Sequence, residues 1–371
     1  MTRLPPTRLP PVRAADHDAP PTVHDVARVA GVSLSTVSNV LNHPQRVKVA
    51  TRQRVESAVA ELGFVRNQNA RALVVGATHT IGLVVFDLRN SLFVDIASGA
   101  QRAARARRYS LQLGSSESDV EQEAEHLAFF DSSRVSGVLL APMYEAAESV
   151  ERLRRHGHPV VIVNHEPSRT DACCVLVDNR EAGRIATGHL INRGARRIAV
   201  VVGRRDYQPV SHRLEGVARA AAEAAEAVEA AEAVQVMELD IEGLEVGAGI
   251  IAADRIADLG SEDRPDAVLA VTDLLAMAII NRLTALGIRV PQDMLVMGCD
   301  HNTAAWGGAI PLSSVSLSGE TLGEHAIELL VEEIEKPGDH VHRTMTVAPT
   351  LMARESTLGR AIAGPSASES S

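Results

Sequence analysis

No apolar run among the 371 residues is long enough to cross a bilayer, which argues against a membrane-spanning protein. A glycine-rich phosphate loop, a Gly-x-Ser-x-Gly elbow and a pair of histidines on one helix face are also missing. Their absence removes the common signatures of nucleotide-using enzymes, serine hydrolases and zinc proteases, and no cofactor is implied. Cysteine is sparse. Cys173, Cys174 and Cys299 lack metal-ligand spacing, and the adjacent pair sits in an apolar run, so all three read as reduced core residues of a cytosolic protein. His156 and His158 flank Gly157 in a loop and read as a solvated pair rather than a metal site. Residues 1–20 repeat Leu-Pro and Pro-Pro without an apolar centre, which fits a disordered arm better than a signal peptide. The tail 357–371, rich in Ser, Ala and Gly, is likewise expected to be disordered. Neither end carries the leucine heptads of an oligomerising coiled coil.

What is present begins at Thr22. Thr22 and Asp25 form a capping-box-like helix start, Val26 and Ala30 share one face, and Gly31 can take the left-handed backbone that stops a helix. Ser33 caps a second helix with Val37, Val40 and Leu41 inward. Small Ala27 and Ala30 allow close approach. This is a helix-turn-helix pattern; its second helix turns outward Leu34, Ser35, Thr36, Ser38 and Asn39, short groups suited to base edges and phosphates in a major groove. The plainer alternative is an ordinary helical hairpin. Thr51 to Leu62 is amphipathic through Val55, Ala58, Val59 and Leu62, and can cover the hairpin. Residues 1–76 hold ten basic against five acidic side chains, a net of +5, while the whole chain is at −10 and the remainder therefore at −15. A small positive unit on an acidic body is expected if only that unit touches phosphate.

After Gly63 comes Phe64-Val-Arg-Asn67-Gln-Asn-Ala70-Arg71-Ala-Leu73-Val-Val-Gly76. From Thr22 to about Glu355 the chain resembles the LacI/GalR (lactose-repressor) family of bacterial transcription regulators, whose signature joins a helix-turn-helix, a third helix and a hinge helix of the form Asn-x-x-Ala-x-x-Leu. The resemblance implies a dimer on a near-palindromic double-stranded operator. Thr22, Arg28, Ser33, Leu34, Ser35, Thr36, Ser38, Asn39, Asn42, Lys48 and Arg52 would face DNA, with Asn67, Ala70, Arg71 and Leu73 in the hinge helix. Arg28, Lys48 and Arg52 are expected on phosphates. Eight residues are too few for a stable isolated helix, so Asn67–Val74 is expected to fold only on DNA.

From Thr80 onward, short β-branched runs alternate with helical patterns, which argues for parallel sheets in βαβ units. The strands read are Thr80–Phe86, Tyr109–Leu113, Gly137–Ala141, Val160–Asn164, Ala172–Asp178, Ile198–Val202, Val234–Leu239, Ala267–Thr272 and Met294–Met297. Val217–Ala233, rich in Ala and Glu, reads as an exposed helix. The expected fold is a helical DNA-binding domain at 21–66, hinge and linker at 67–78, and a two-lobed, doubly wound α/β core at 79–356. Crossovers near Asp178, Val315 and His342 would give lobes of 79–178 with 317–342 and 179–316 with 343–356. In the family, this periplasmic-binding-protein-like core takes a small effector in its cleft.

Ligands of doubly wound sheets bind beyond the carboxyl ends of the strands. That rule selects Asn90, Leu92, Phe93, Asn164, Tyr207, Arg213, Thr272, Asp273, Cys299 and Asp300. The resemblance agrees where Asn90-Ser-Leu-Phe93, Arg213-Leu-Glu-Gly216 and Gly298-Cys-Asp300 match Asn-Pro-x-Phe, Arg-x-x-Gly and Gly-x-Asp. It implies that Arg213 and Asp300 hydrogen-bond the effector. Phe93 and Tyr207 serve equally as packing, Asp273 reads first as a helix cap, and Trp306 either stacks on a sugar or packs on its lobe. Two departures stand out. Asn39 replaces a frequent arginine, which shifts base preference from guanine toward adenine; Ser316-Leu-Ser318 replaces Thr-x-x-Gln-Pro near a crossover. A sugar is the favoured effector, with a purine or nucleoside as the alternative. A secreted solute-binding protein would share the core but need an export signal and no DNA-reading unit.

Overall fold

The computed structural model describes residues 21–64, 78–168, 171–227, 234–301 and 310–359, the side chain of Asn42 excepted. The expected arm, the hinge residues Asn67, Ala70, Arg71 and Leu73, and Trp306 lie outside the described residues. The chain divides at Val74/Val75 into two compact units.

In the first unit, α1 (Val23–Ala30) opens on a capping box in which Asp25 N donates to Thr22 Oγ1 at 3.4 Å and Thr22 N to Asp25 Oδ2 at 3.0 Å. Gly31 stops it at φ 63°, a backbone that costs glycine little. Helix α2 (Leu34–Asn42) starts at Ser33, whose Oγ accepts from Thr36 N at 3.2 Å. Helix α3 begins at Val49, two residues before the expected Thr51, and runs to Leu62. Val26, Val37 and Val55 are fully buried between the three helices, with Ala27, Ala30, Val40 and Ala58 around them. The helical spacing of apolar side chains thus becomes one small core.

In the second unit, the strands are β1 (Thr80–Val85), β2 (Ser110–Ser115), β3 (Gly137–Leu140), β4 (Val160–Val163), β5 (Cys173–Val177), β6 (Arg197–Val202), β7 (Gln235–Asp240), β8 (Ala267–Ala270), β9 (Leu295–Asp300), β10 (Ser313–Ser316), β11 (Thr344–Val347) and β12 (Thr350–Met352). They form two six-stranded sheets, β11-β5-β4-β3-β1-β2 and β12-β10-β9-β8-β6-β7. Every pairing is parallel except β10 with β12. Helices cover both faces, so central strands such as Val138-Leu139-Leu140 are buried throughout and read as continuous apolar runs.

Three expectations are corrected. The third crossover lies between Val347 and Thr350, not at His342, because Thr344–Val347 pairs with Cys174–Val177 and covers the open edge of the first sheet. The tail does not begin at 357, since Thr357 is buried in a short helix (Glu355–Leu358) and its Oγ1 meets His189 Nε2 at 2.7 Å. Strand β9 extends to Asp300, which places Cys299 inside the strand and buried. The Ala/Glu-rich helix is Gln208–Ala227, and 228–233 lie outside the described residues.

Candidate functional site

The outward face of α2 is built by default, once Val37 and Val40 are spent on the core. Leu34, Ser35, Ser38 and Asn39 are exposed and Thr36 is half-buried. Thr22 and Ser33 face the same helix starts, but their hydroxyls are engaged: Thr22 Oγ1 donates to Asp25 Oδ2 at 2.7 Å, and Ser33 Oγ lies 2.8 Å from the hydroxyls of Ser35 and Thr36. Arg28 pairs with Asp25 at 2.9 Å while staying largely exposed, and Arg52 sits 3.6 Å from Glu56. A shallow hollow of about 420 Å³ joins Ser33, Thr36 and Asn39 to Lys48 and also to Arg46, Thr51 and Arg54. Those last three were missed by the sequence reading; helical spacing of Thr51 and Arg54 on α3 was the available signal.

The second candidate site lies between the two sheets. Asn90 caps the helix Ser91–Ala106, its Oδ1 accepting from Leu92 N at 2.9 Å, and this sets Phe93 into the core with its ring 5.8 Å from that of Phe86. Phe86 stacks in turn on Tyr207 of the other lobe, 4.8 Å apart and 14° from parallel. Phe86 was passed over in the sequence as a strand end.

Arg213 is buried, and its guanidinium is shared three ways. Nε donates to Asn179 Oδ1 at 2.9 Å, Nη1 donates to the carbonyl of Val271, and Nη2 stops 4.0 Å from Asp300 Oδ1. Asp300 Oδ1 has no hydrogen-bond partner although it is buried, and the same holds for Asn164 Oδ1 at the end of β4. Both residues adopt positive φ, 126° for Asp300 and 58° for Asn164. Strained backbone and an unmatched buried acceptor each cost stability, and the two coincide at a strand end in each lobe. Burial pushes the Asp300 carboxyl well above the usual range, with Arg213 pulling it back.

Thr272, not Asp273, caps the helix Asp273–Ala285 by accepting from Leu275 N at 3.3 Å. Asp273 is its first residue, buried, and accepts from Ser314 Oγ at 2.6 Å. The motif glycines make room for this arrangement: a Cβ on Gly298 would meet Asp273 Oδ1 at 2.3 Å, and one on Gly216 would meet the Arg180 carbonyl oxygen at 1.9 Å. Gly216 therefore lets the helix bearing Arg213 lie against the helix bearing Asn179.

The lobes are in contact. Tyr144 Oη donates to Asp206 Oδ2 at 2.7 Å, Arg204 Nε donates to Asp206 Oδ1 at 3.1 Å, and Gln208 and Glu166 exchange hydrogen bonds of 2.6 and 3.0 Å. An open cleft of about 190 Å³ remains, lined by Phe86, Asp87, Asn90, Leu244 and Thr272 among others. Arg213, Asp300, Tyr207 and Asn164 are buried and do not line it. His156 and His158 are no solvated pair, since both hold Asp131, at 2.7 and 3.1 Å, and His158 is buried. No helix among the described residues is long and apolar enough to cross a membrane.

Residues 22–67 match the family described as "Bacterial regulatory proteins, lacI family", and residues 187–357 match "Periplasmic binding protein-like domain". Over 335 residues the chain is 34% identical to the HTH-type transcriptional repressor PurR of Vibrio atlanticus (strain LGP32), spanning 90% of this chain and 97% of that one. PurR of Vibrio vulnificus (strain CMCP6) is 32% identical over 336 residues, 90% of this chain and 98% of the relative. Among solved structures, a transcriptional regulator CelR–cellobiose complex is 30% identical with a TM-score of 0.63 over 91% of this chain and 99% of the other. The Lac repressor dimer bound to operator and the anti-inducer ONPF shares the fold at 23% identity, with a TM-score of 0.77 over 92% and 100% of the two chains. With these relatives aligned over nine-tenths of its length, the chain belongs to the LacI family of DNA-binding transcriptional repressors.

Proposed function

We propose that the protein binds a near-palindromic operator as a dimer in the cytoplasm, and that a small molecule held between its lobes sets operator affinity. The observation that carries the effector half is the pair of buried, unmatched acceptors, Asn164 Oδ1 on one lobe and Asp300 Oδ1 on the other, with the Arg213 fork beside them. A ligand rich in hydroxyl donors satisfies both carboxylate and amide oxygens and can accept from the guanidinium, which favours a sugar or sugar derivative. The CelR relative is described in complex with cellobiose, which fits this class.

A purine is the second reading. The near-parallel Phe86–Tyr207 pair offers a flat aromatic surface, and the PurR relatives reach 34% identity. Thermal-shift measurements on the full chain with mono- and disaccharides in one set and nucleobases and nucleosides in the other decide between them, because a ligand of the folded state raises the melting temperature by mass action. A hit that also changes binding to an operator selected from random DNA supports the proposal. Binding of DNA that no compound of either set alters would sink its effector half.

A further inference from the structure

A cluster away from both sites joins Cys173, Glu333, His340 and His342. Cys173 opens β5, Glu333 lies near the end of the helix Gly319–Glu335, and the two histidines alternate along the extended segment leading into β11. Parallel pairing sets Thr344 against Cys174, which brings residues 340–342 beside the start of β5. Cys173 Sγ lies 3.1 Å from His340 Nε2 and 3.8 Å from His342 Nδ1. Glu333 Oε2 lies 3.9 Å from the first of these nitrogens and 4.0 Å from the second.

We propose that these four side chains bind one divalent transition-metal ion of the zinc class. Bonds of about 2.0–2.3 Å in a tetrahedron separate neighbouring ligand atoms by roughly 3.3–3.8 Å, which is close to the spacing found here. One sulfur, two imidazole nitrogens and one carboxylate oxygen are the donors zinc takes. Glu333 Oε2 is buried without a hydrogen-bond partner, and the His340 side chain is only 1% exposed. A buried carboxylate oxygen with nothing to bind is costly, and a cation at the centre removes the cost.

Outer groups hold the set in place. Arg154 Nη1 donates to Glu333 Oε1 at 3.0 Å, Glu332 Oε1 stands 3.4 Å from His340 Nδ1, and the Arg343 amide donates to Cys173 Sγ at 3.5 Å. Arg154 Nη2 lies 2.8 Å from His342 Nε2, a contact it must give up when that nitrogen carries the proton and Nδ1 binds metal. On binding, the thiol proton passes to solvent and the sulfur takes its place on the ion. Four protein ligands leave no open position, so the ion would pin β11 and the third crossover rather than catalyse. The cluster sits at the amino-terminal end of the first sheet's strands, the same end at which the chain enters β1.

The test uses the full chain without added affinity histidines, stripped with a chelator and titrated with Co²⁺. One Co²⁺ per chain is expected, with the visible bands of a tetrahedral site, a sulfur-to-cobalt charge-transfer band, and displacement by Zn²⁺. Cys173→Ser is expected to lose the charge-transfer band, and both it and His342→Gln to weaken Co²⁺ binding about tenfold or more. His156→Gln is expected to bind as wild type. Should Cys173→Ser fail to fold, His342→Gln, at a partly exposed position, still decides. Absence of Co²⁺ binding by the wild type, or wild-type affinity in His342→Gln and Glu333→Gln, overturns the proposal.

Discussion

Asp300 is held by a balance of opposed effects, since burial disfavours its charge while Arg213, 4.0 Å away, favours it. Replacing one member of a buried pair outright strands the other, typically at about 3–5 kcal/mol. Asp300→Asn keeps the shape and is the cleaner probe. It is expected to leave operator affinity without effector unchanged and to cut the effector response at least tenfold, read by fluorescence anisotropy with the hit from the ligand screen. An unaltered response would move the site elsewhere. On α2, Asn39→Ala is expected to change the preferred half-site at a cost of about 1–3 kcal/mol on the wild-type sequence; identical sites selected by both proteins would exclude Asn39 from base reading. Asp300 and Arg213 were legible because strand ends and a forked cation carry their own logic. Phe86 and the Cys173 cluster were not, because each depends on a partner more than a hundred residues away that only the folded sheets bring near.

Helices were more legible than strands. The capping residues Thr22 and Ser33, the stop at Gly31 and the inward valines act within a few residues, so their chemistry is written locally. Ser33→Ala removes a cap whose oxygen meets Thr36 N, and about 1 kcal/mol of unfolding free energy is expected to go with it, measured by thermal or urea melting of the helical unit's signal. By contrast β10, β11 and β12 went unread, being three or four residues long and built largely of Ser and Thr, and β11 pairs with a strand remote in sequence. The same remoteness hid the purpose of Gly216. Gly216→Ala is expected to push two packed helices apart, costing about 1–3 kcal/mol and weakening effector binding through the lost Arg213–Asn179 bond. Stability and effector affinity both at wild-type level would refute that account.

In the second unit, outside the cluster around Cys173, four histidines share one behaviour. His165, His189, His212 and His301 are each lowered from 6.5, in every case first by burial. The unfolded chain therefore takes up protons that the folded core refuses, and stability present above about pH 6.5 is lost as pH falls below it. The melting temperature is expected to be flat above neutrality and to drop between about pH 6.5 and 5. Asp300, pushed upward, works in the opposite direction, so the scan is repeated in Asp300→Asn, where the drop is expected to steepen. A flat profile in both proteins would contradict this reading. The Arg204–Tyr144–Asp206 bridge is a separate lever on lobe closure: Arg204→Ala is expected to enlarge the radius of gyration of the ligand-free protein in small-angle scattering and to lower effector affinity several-fold.

The late position of β11 has a consequence for how the chain is made. The first sheet opens at Thr80 yet is not complete until Thr344–Val347 is laid beside β5, whereas the three-helix core needs nothing beyond Phe64. During synthesis the DNA-binding unit can therefore mature while the ribosome still has most of the α/β core to produce. The core must wait, with an uncovered strand edge at β5, until Thr344–Val347 has been made. A chain released early would carry the DNA-binding unit without a finished core.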